Sequence, residues 1–250
     1  MKPQLSLCVA TTVLLLASGC TSAPPSPAPE QRAAGPQSFS STGPVRSSRH
    51  RSNNATSAEP GDFDFYLLNL SWSPEFCFHH SDSPECAAHP GFVVHGLWPE
   101  NIDGTYPEHC SDAPGPSNPN SYTDLEPTVS LVEHEWTTHG TCSGLSPDAY
   151  FGLMRRARAK VRIPDAFNGS AQPRSETPDA ILDQFTRINT GIPSASFALT
   201  CGNNYLTAIE VCFDKNLNAV ACQGVRSCRA NSVRITSRRL PDPDHGERYP

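Results

Sequence analysis

Eight cysteines, at positions 77, 86, 110, 142, 201, 212, 222 and 228, are spread along this 250-residue chain. They constrain its fold more than any other feature does. An even set of cysteines in a chain that carries an export signal reads as a disulfide framework. The competing use is structural zinc, but no C-x-x-C pair occurs anywhere in the sequence. The two remaining cysteines, Cys8 and Cys20, fall in the first twenty residues and belong to a different argument.

That argument concerns export. MKPQLSLCVATTVLLLASGC places one lysine before an apolar run from Leu5 to about Ala17, which closes on small residues. The run is shorter than the roughly 20 apolar residues of a spanning helix, so residues 1–20 read as a signal peptide. Its ending, L-A-S-G-C, has the form of a bacterial lipobox, which makes Cys20 a candidate N-terminal lipid anchor. The expected location is periplasmic or extracellular, with a membrane-anchored lipoprotein as one form. Residues 21–61 are Ser, Pro, Ala and Gly with hardly any large apolar residue. Such a segment cannot offset its chain entropy by burial and is expected to be a disordered linker. Residues 62–250 are left as one domain, with a flexible tail expected from about 238.

Within that domain, FDFYLLNLSW (63–72), bounded by Pro74, reads as a buried strand, and FVVHGLW (92–98) as a second one ending at Gly96. Pro127 can open a helix that Gly140 closes, with Val129, Val132 and Trp136 on its apolar face. SPDAYFGLMRRARAKV (146–161) and TPDAILDQFTRIN (177–189) are two further helices, each with Ser or Thr before Pro at its start. YLTAIEVCFD returns to strand alternation. Strands, helices, then strands argue for an α+β domain. N-A-T, N-L-S and N-G-S at 54, 69 and 168 are glycosylation sequons that would matter only in a eukaryotic host.

The chemistry concentrates in HEWTTHGTC, residues 134–142. It nearly spells the zinc-protease motif H-E-x-x-H, with one residue too many. At about 100° per residue, His134 and His139 diverge by about 140°, whereas Glu135 and His139 share a face. A shared metal is therefore poorly served. Two imidazoles and a carboxyl on an open arc suit proton transfer near neutral pH better. No G-x-S-x-G elbow offers a serine nucleophile. A helix with surface histidines stays open as the bland alternative. A second histidine-bearing segment, GFVVHGLWPENIDGTYPEHC (91–110), carries His95, which shares a strand face with Val93 and could supply a third group from another element.

FVVHGLWPE and HEWTTHGTC resemble the two active-site segments of the ribonuclease T2 family, and the chain is identified as an exported, bacterial member. FDFYLLNLSW resembles the family's first strand and NIDGTYP its following loop. The resemblance spans about residues 62–230. It implies a central, mainly antiparallel sheet flanked by helices and stapled by Cys77–Cys86, Cys110–Cys142, Cys201–Cys228 and Cys212–Cys222. It also implies cleavage of single-stranded RNA without a metal or other cofactor, and a monomer is expected. DNA would not be cleaved, since it lacks the 2′-hydroxyl nucleophile. By motif position His139 is the expected base, His95 the acid and His134 the phosphate holder. Glu135 would assist at the phosphoryl group or fix an imidazole. Trp98 and Tyr106 are expected as stacking platforms, and Glu100 stands where many relatives carry an aspartate that bonds a base edge. One position departs: Thr138 replaces the family's usual lysine. That leaves an alternative, a catalytically weak or inactive exported RNA-binding protein. The net charge of −6 runs against RNA binding in general but is tolerable for a nuclease that needs only local positive charge and fast product release.

Overall fold

The computed structural model describes residues 54–88, 91–167 and 172–236. The signal peptide, Cys20, most of the expected linker and the expected tail lie outside the described residues. In chain order the first elements are β1 (Ala55–Thr56), β2 (Phe65–Trp72), α1 (Ser73–His79), α2 (Pro84–Ala88), β3 (Phe92–Glu100) and β4 (Tyr106–Pro107). Then come α3 (Val129–Thr138), α4 (Pro147–Ala159), β5 (Arg174–Glu176), α5 (Pro178–Ile188), β6 (Phe197–Gly202), β7 (Tyr205–Phe213) and β8 (Val233–Ile235).

The helices begin where their caps dictate. Ser146 and Thr177 accept hydrogen bonds from the backbone N–H groups of Ala149 and Ala180, each with proline in the first turn. Thr128 does the same for Leu131, so α3 starts at Val129, two residues after Pro127. The expected stop at Gly140 also moves. The α-helix ends at Thr138, and Gly140–Ser143 continues as a 3-10 turn.

β2 is buried almost throughout because both its faces are covered. It pairs antiparallel with β3 on one side and β7 on the other, and β6 pairs antiparallel with β7. The β7–β8 pairing is parallel, so the sheet is mixed but mainly antiparallel. One face of the sheet carries Leu68, Leu70, Trp72, Val94 and Leu97. Against them pack Trp136 of α3, Phe151 and Met154 of α4, and Ile181 and Phe185 of α5. The other face holds a small cluster of Phe65, Leu67, Trp98 and Cys212. The fold is thus α+β, with three helices covering one sheet face.

Two expectations about boundaries change. β3 does not end at Gly96 but runs to Glu100, because β2 pairs with it along its whole length. Nor does the linker extend to residue 61. Ala55–Thr56 pairs in parallel with Tyr106–Pro107, and the Gly61 N–H donates to the Cys142 carbonyl. Backbone hydrogen bonds hold this stretch even though it has few apolar side chains to bury. The eight cysteines pair as Cys77–Cys86, Cys110–Cys142, Cys201–Cys228 and Cys212–Cys222.

One buried group opposes stability. Glu126 is fully buried, and neither of its carboxyl oxygens has a hydrogen-bond partner among the described residues. Burial first, then the charge of Glu135, holds its pKa well above the ordinary carboxylate range. Burial also pushes Glu75 up to about 7, against a hydrogen bond from Thr236. The folded chain therefore binds protons that the unfolded chain releases, and stability falls as pH rises above the unfolded carboxylate pKa. Glu126→Gln keeps the shape and removes that titration. Thermal melts should superimpose with the parent near pH 4 and show a higher Tm for the variant at pH 7. An equal difference at both pH values would mean that packing, not ionisation, separates them.

Candidate active site

The site begins with an irregularity in strand pairing. Asn69 of β2 faces Gly96 and Leu70 faces Val94, so His95 is an extra residue on β3, a β-bulge. Its effect on side-chain direction is large. Val94 and Leu97, three apart, would point to opposite faces of a regular strand. With the bulge between them both enter the main core, and Trp98 falls on the other face. His95 joins that second face, its Nδ1 lying 3.1 Å from Ser71 Oγ. The Ser71 hydroxyl donates to Asn69 Oδ1 at 3.2 Å, and Asn69 Nδ2 donates to Glu210 Oε1 at 3.1 Å.

α3 supplies the opposing wall. Glu135 has no exposed surface. One of its oxygens accepts the Trp98 indole N–H at 2.6 Å, and the other lies 3.5 Å from His95 Nε2. This approach depends on Gly96. A Cβ there would overlap Glu135 Oε2 and Trp98 Nε1 and sit 2.8 Å from Glu135 Cδ. Trp98, expected as a stacking platform, is instead buried, with its polar atom committed to Glu135. Its ring meets that of His95 edge-on at 5.5 Å and that of His139 at 5.2 Å. Glu100 and Tyr106 are also buried.

His139 caps α3 with φ −117° and ψ −42°, while its N–H still donates to the Glu135 carbonyl. The helical wheel places it about 140° from His134. Departure from helical φ lets the two rings approach edge-on to 6.5 Å between centroids. His139 is fully buried and His134 is exposed. Thr138 Oγ1 lies 3.4 Å from His134 Nδ1. Beside them opens a cleft of about 460 Å³ lined by Glu108, His109, Glu133, His134, Thr137 and Thr138. Glu108 and His109 escape the sequence reading, although His109 adjoins Cys110, whose bond to Cys142 brings the loop here. The His109 N–H also donates to the Thr138 carbonyl. Among the described residues, no group of three or more His, Cys, Asp or Glu side chains is arranged to hold a metal ion.

Ser71, Asn69 and Glu210 are the other residues the sequence reading misses. Asn69 enters it only as the first residue of a sequon. The signal was present, however: polar residues inside the otherwise apolar strands FYLLNLSW and YLTAIEVCF. A buried polar residue is the informative observation in such strands.

What the arrangement can do is move protons. An imidazole held between a hydroxyl and a carboxylate, with a second imidazole nearby, suits general acid–base chemistry. Gly96→Ala should break the Trp98–Glu135 hydrogen bond and shift Glu135 from His95. Misplacement of about 1 Å typically costs about 100-fold in rate, so an activity that rests on this proton transfer should fall at least that far while circular dichroism stays native. Undiminished activity would show that the close approach at Gly96 has no part in the chemistry.

Similarity to known proteins agrees with this geometry. The sequence profile described as the Ribonuclease T2 family matches residues 63–222. Ribonuclease DdI of Dictyostelium discoideum is 33% identical over 208 residues, covering 72% of this chain and 88% of that protein. A ribonuclease of Aeromonas hydrophila is 38% identical over 122 residues, and the match covers 48% of this chain and 56% of that protein's length. Among solved structures, ribonuclease MC1 from bitter gourd seeds superimposes with a TM-score of 0.56 at 25% identity, covering 68% of this chain and 99% of that one. With the two histidine segments on β3 and α3 inside the matched region, the chain belongs to the ribonuclease T2 family of RNA-cleaving enzymes.

Proposed function

We propose that the chain is a metal-independent endoribonuclease that cleaves single-stranded RNA in two steps. The ribose 2′-hydroxyl attacks the adjacent phosphorus and expels the 5′-oxygen, leaving a 2′,3′-cyclic phosphate. Water then opens that ring to a 3′-phosphate. The observation that carries this reading is His95 Nε2 held 3.5 Å from the buried Glu135 carboxylate, with His139 across the Trp98 ring. His139 takes the proton of the 2′-hydroxyl, and His95 gives one to the departing oxygen; the roles reverse in the second step. His139 has no exposed surface, so its use as base requires side-chain movement when RNA binds. Catalytic contacts commonly tighten only in the substrate complex. His134, exposed on the cleft, holds the phosphate, and Glu135 orients His95.

Bases are read in single-stranded RNA by stacking and by hydrogen bonds to their edges. Tyr106 and Glu100 are the candidates for those roles, which their burial requires RNA binding to uncover, while Trp98, its N–H committed to Glu135, serves as a positioning residue. The four disulfides fit an exported protein. We place a signal peptide at 1–20 and the catalytic domain after a linker, acting as a monomer in the periplasm or outside the cell. Cys20 is the candidate lipid anchor. DNA, without a 2′-hydroxyl, is not cleaved.

His95→Ala and His139→Ala should each lower kcat by about 100- to 10,000-fold, the usual range for a general acid or base. His134→Ala should chiefly raise KM. Cleavage should persist in EDTA. Loss of activity in EDTA with recovery on adding zinc would overturn the metal-free mechanism.

The second reading, a weak enzyme or an RNA-binding protein, has one observation in its favour. Thr138 offers a hydroxyl 3.4 Å from His134 Nδ1 and no charge. The extra negative charge on phosphorus exists mainly in the transition state, so a missing cation costs kcat more than KM. Thr138→Lys should raise kcat with little change in KM, the new ammonium lying near Glu108 and Glu133 of the cleft. An unchanged kcat in a folded variant would mean that another group already neutralises the phosphate, and the weak-enzyme reading would lose its support.

A further inference from the structure

The face of the sheet beneath His95 carries three polar residues that the mechanism above does not use. Asn69 and Ser71 are two apart on β2 and therefore share a face. Glu210 lies directly opposite Asn69 in the β2–β7 register. Asn69 and Glu210 are buried, and each hydrogen bond in the series Glu210–Asn69–Ser71–His95 falls between 3.1 and 3.2 Å.

Which way the protons point follows from the carboxylate end. An ionised carboxylate accepts hydrogen bonds and cannot donate them. The Asn69 amide nitrogen accordingly donates to Glu210 Oε1 at 3.1 Å, which turns its oxygen to Ser71. That oxygen takes the Ser71 proton, so the Ser71 lone pair is what faces His95 Nδ1. The ring nitrogen must then carry the hydrogen. We propose that Glu210, Asn69 and Ser71 form a one-directional relay that holds the proton of His95 on Nδ1 and so reserves Nε2 for the reacting oxygen. The proposal rests on the acid–base role given to His95 above.

The need for such a device is visible at the other nitrogen. Nε2 lies 3.5 Å from Glu135 Oε1. Without a partner at Nδ1, neutral His95 would place its proton on Nε2, toward that carboxylate. The lone pair needed to take back a proton in the second step would then lie on the wrong side of the ring. A buried carboxylate behind a catalytic imidazole sets the tautomer in the Ser-His-Asp triad. Here an amide and a hydroxyl are interposed, all borne on paired strands. Strand-borne groups hold their geometry better than loop-borne ones. Glu210, Asn69 and Ser71 are positioning residues, since none is asked to touch the substrate.

The test combines ¹⁵N NMR of the His95 imidazole with hydrolysis of a 2′,3′-cyclic mononucleotide. That substrate has no downstream base, so a lost contact to such a base cannot account for a lost rate, and an unchanged KM separates a lost contact to its own base from a lost proton transfer. In the parent protein, neutral His95 should show a protonated Nδ1. Ser71→Ala should move the proton to Nε2 and lower kcat by about 10- to 100-fold, the size typical of groups that orient functional imidazoles from behind, with KM unchanged. Ser71→Thr retains a hydroxyl and a strand-compatible side chain and should restore both readouts. Glu210→Gln, whose amide can donate as well as accept, should give a mixture of tautomers and an intermediate kcat. It carries the same readout if Ser71→Ala does not fold. An unchanged tautomer in both Ser71→Ala and Glu210→Gln would overturn the relay. Equal losses in Ser71→Ala and Ser71→Thr would overturn it too, because packing would then be the cause. The tautomer is read without substrate. A chain that cleaved no RNA would thus sink the proposed function and leave the relay measurement standing.

Discussion

The distance between α3 and β3 at Gly96 governs the active-site half of the domain. A carboxylate can press against a strand backbone only where no Cβ intervenes, and Gly96 gives Glu135 that room. Burying an ion there is costly unless donors meet it. Trp98 supplies one donor, and protonated His95 can supply a second. The contact is closed from both sides. Tyr150 of α4 donates to the Leu97 carbonyl, one residue beyond Gly96. Cys142, just past the end of α3, is tied to the loop that follows β4. Helix and strand are thereby held at a spacing set by a missing side chain.

Two buried carboxyls near one another meet different fates because their donors differ. Glu135 has the indole N–H, whereas Glu126 has no hydrogen-bond partner among the described residues. Burial and the charge of Glu135 keep the Glu126 proton in place well above the ordinary range. A protonated Glu126 adds no second negative charge beside Glu135. The same surroundings push the Tyr150 hydroxyl upward, through burial first and then the charge of Glu135. That hydroxyl keeps its proton and remains a donor to Leu97. Of these two carboxyls, the one that carries the charge is the one that faces His95.

Much of this was legible in the residues, and what was not shares a physical cause. Helix starts were legible because caps and prolines act within three or four residues, as at Ser146 and Thr177. His134, Glu135 and His139, proposed above for proton transfer, stood out by their types and spacing, and the structure brings the two histidine rings to 6.5 Å. The bulge at His95 was not, since an extra residue exists only relative to the register of another strand. For the same reason Ser71 and Glu210, separated by 139 positions, gave no sign of belonging to one series of hydrogen bonds. The wheel failed at His139 because helical periodicity stops at the last helical residue. Trp98 shows a different limit. An aromatic beside a catalytic histidine reads as a stacking surface until the carboxylate that claims its N–H is located.

That indole also bears on how the two proposed catalytic imidazoles share one phosphate. In-line displacement puts the attacking and leaving oxygens on opposite sides of phosphorus. A base and an acid packed directly against each other could not reach both. Trp98 contacts His95 edge-on and His139 at a shallower tilt, so it stands as a rigid spacer between them. Its N–H bond to Glu135 keeps the spacer from rotating. His95 is oriented from the sheet through Ser71, while His139 is carried at the end of the helix that presents Glu135. The proposed acid and base thus belong to different elements, and their separation depends on the α3–β3 spacing that Gly96 permits.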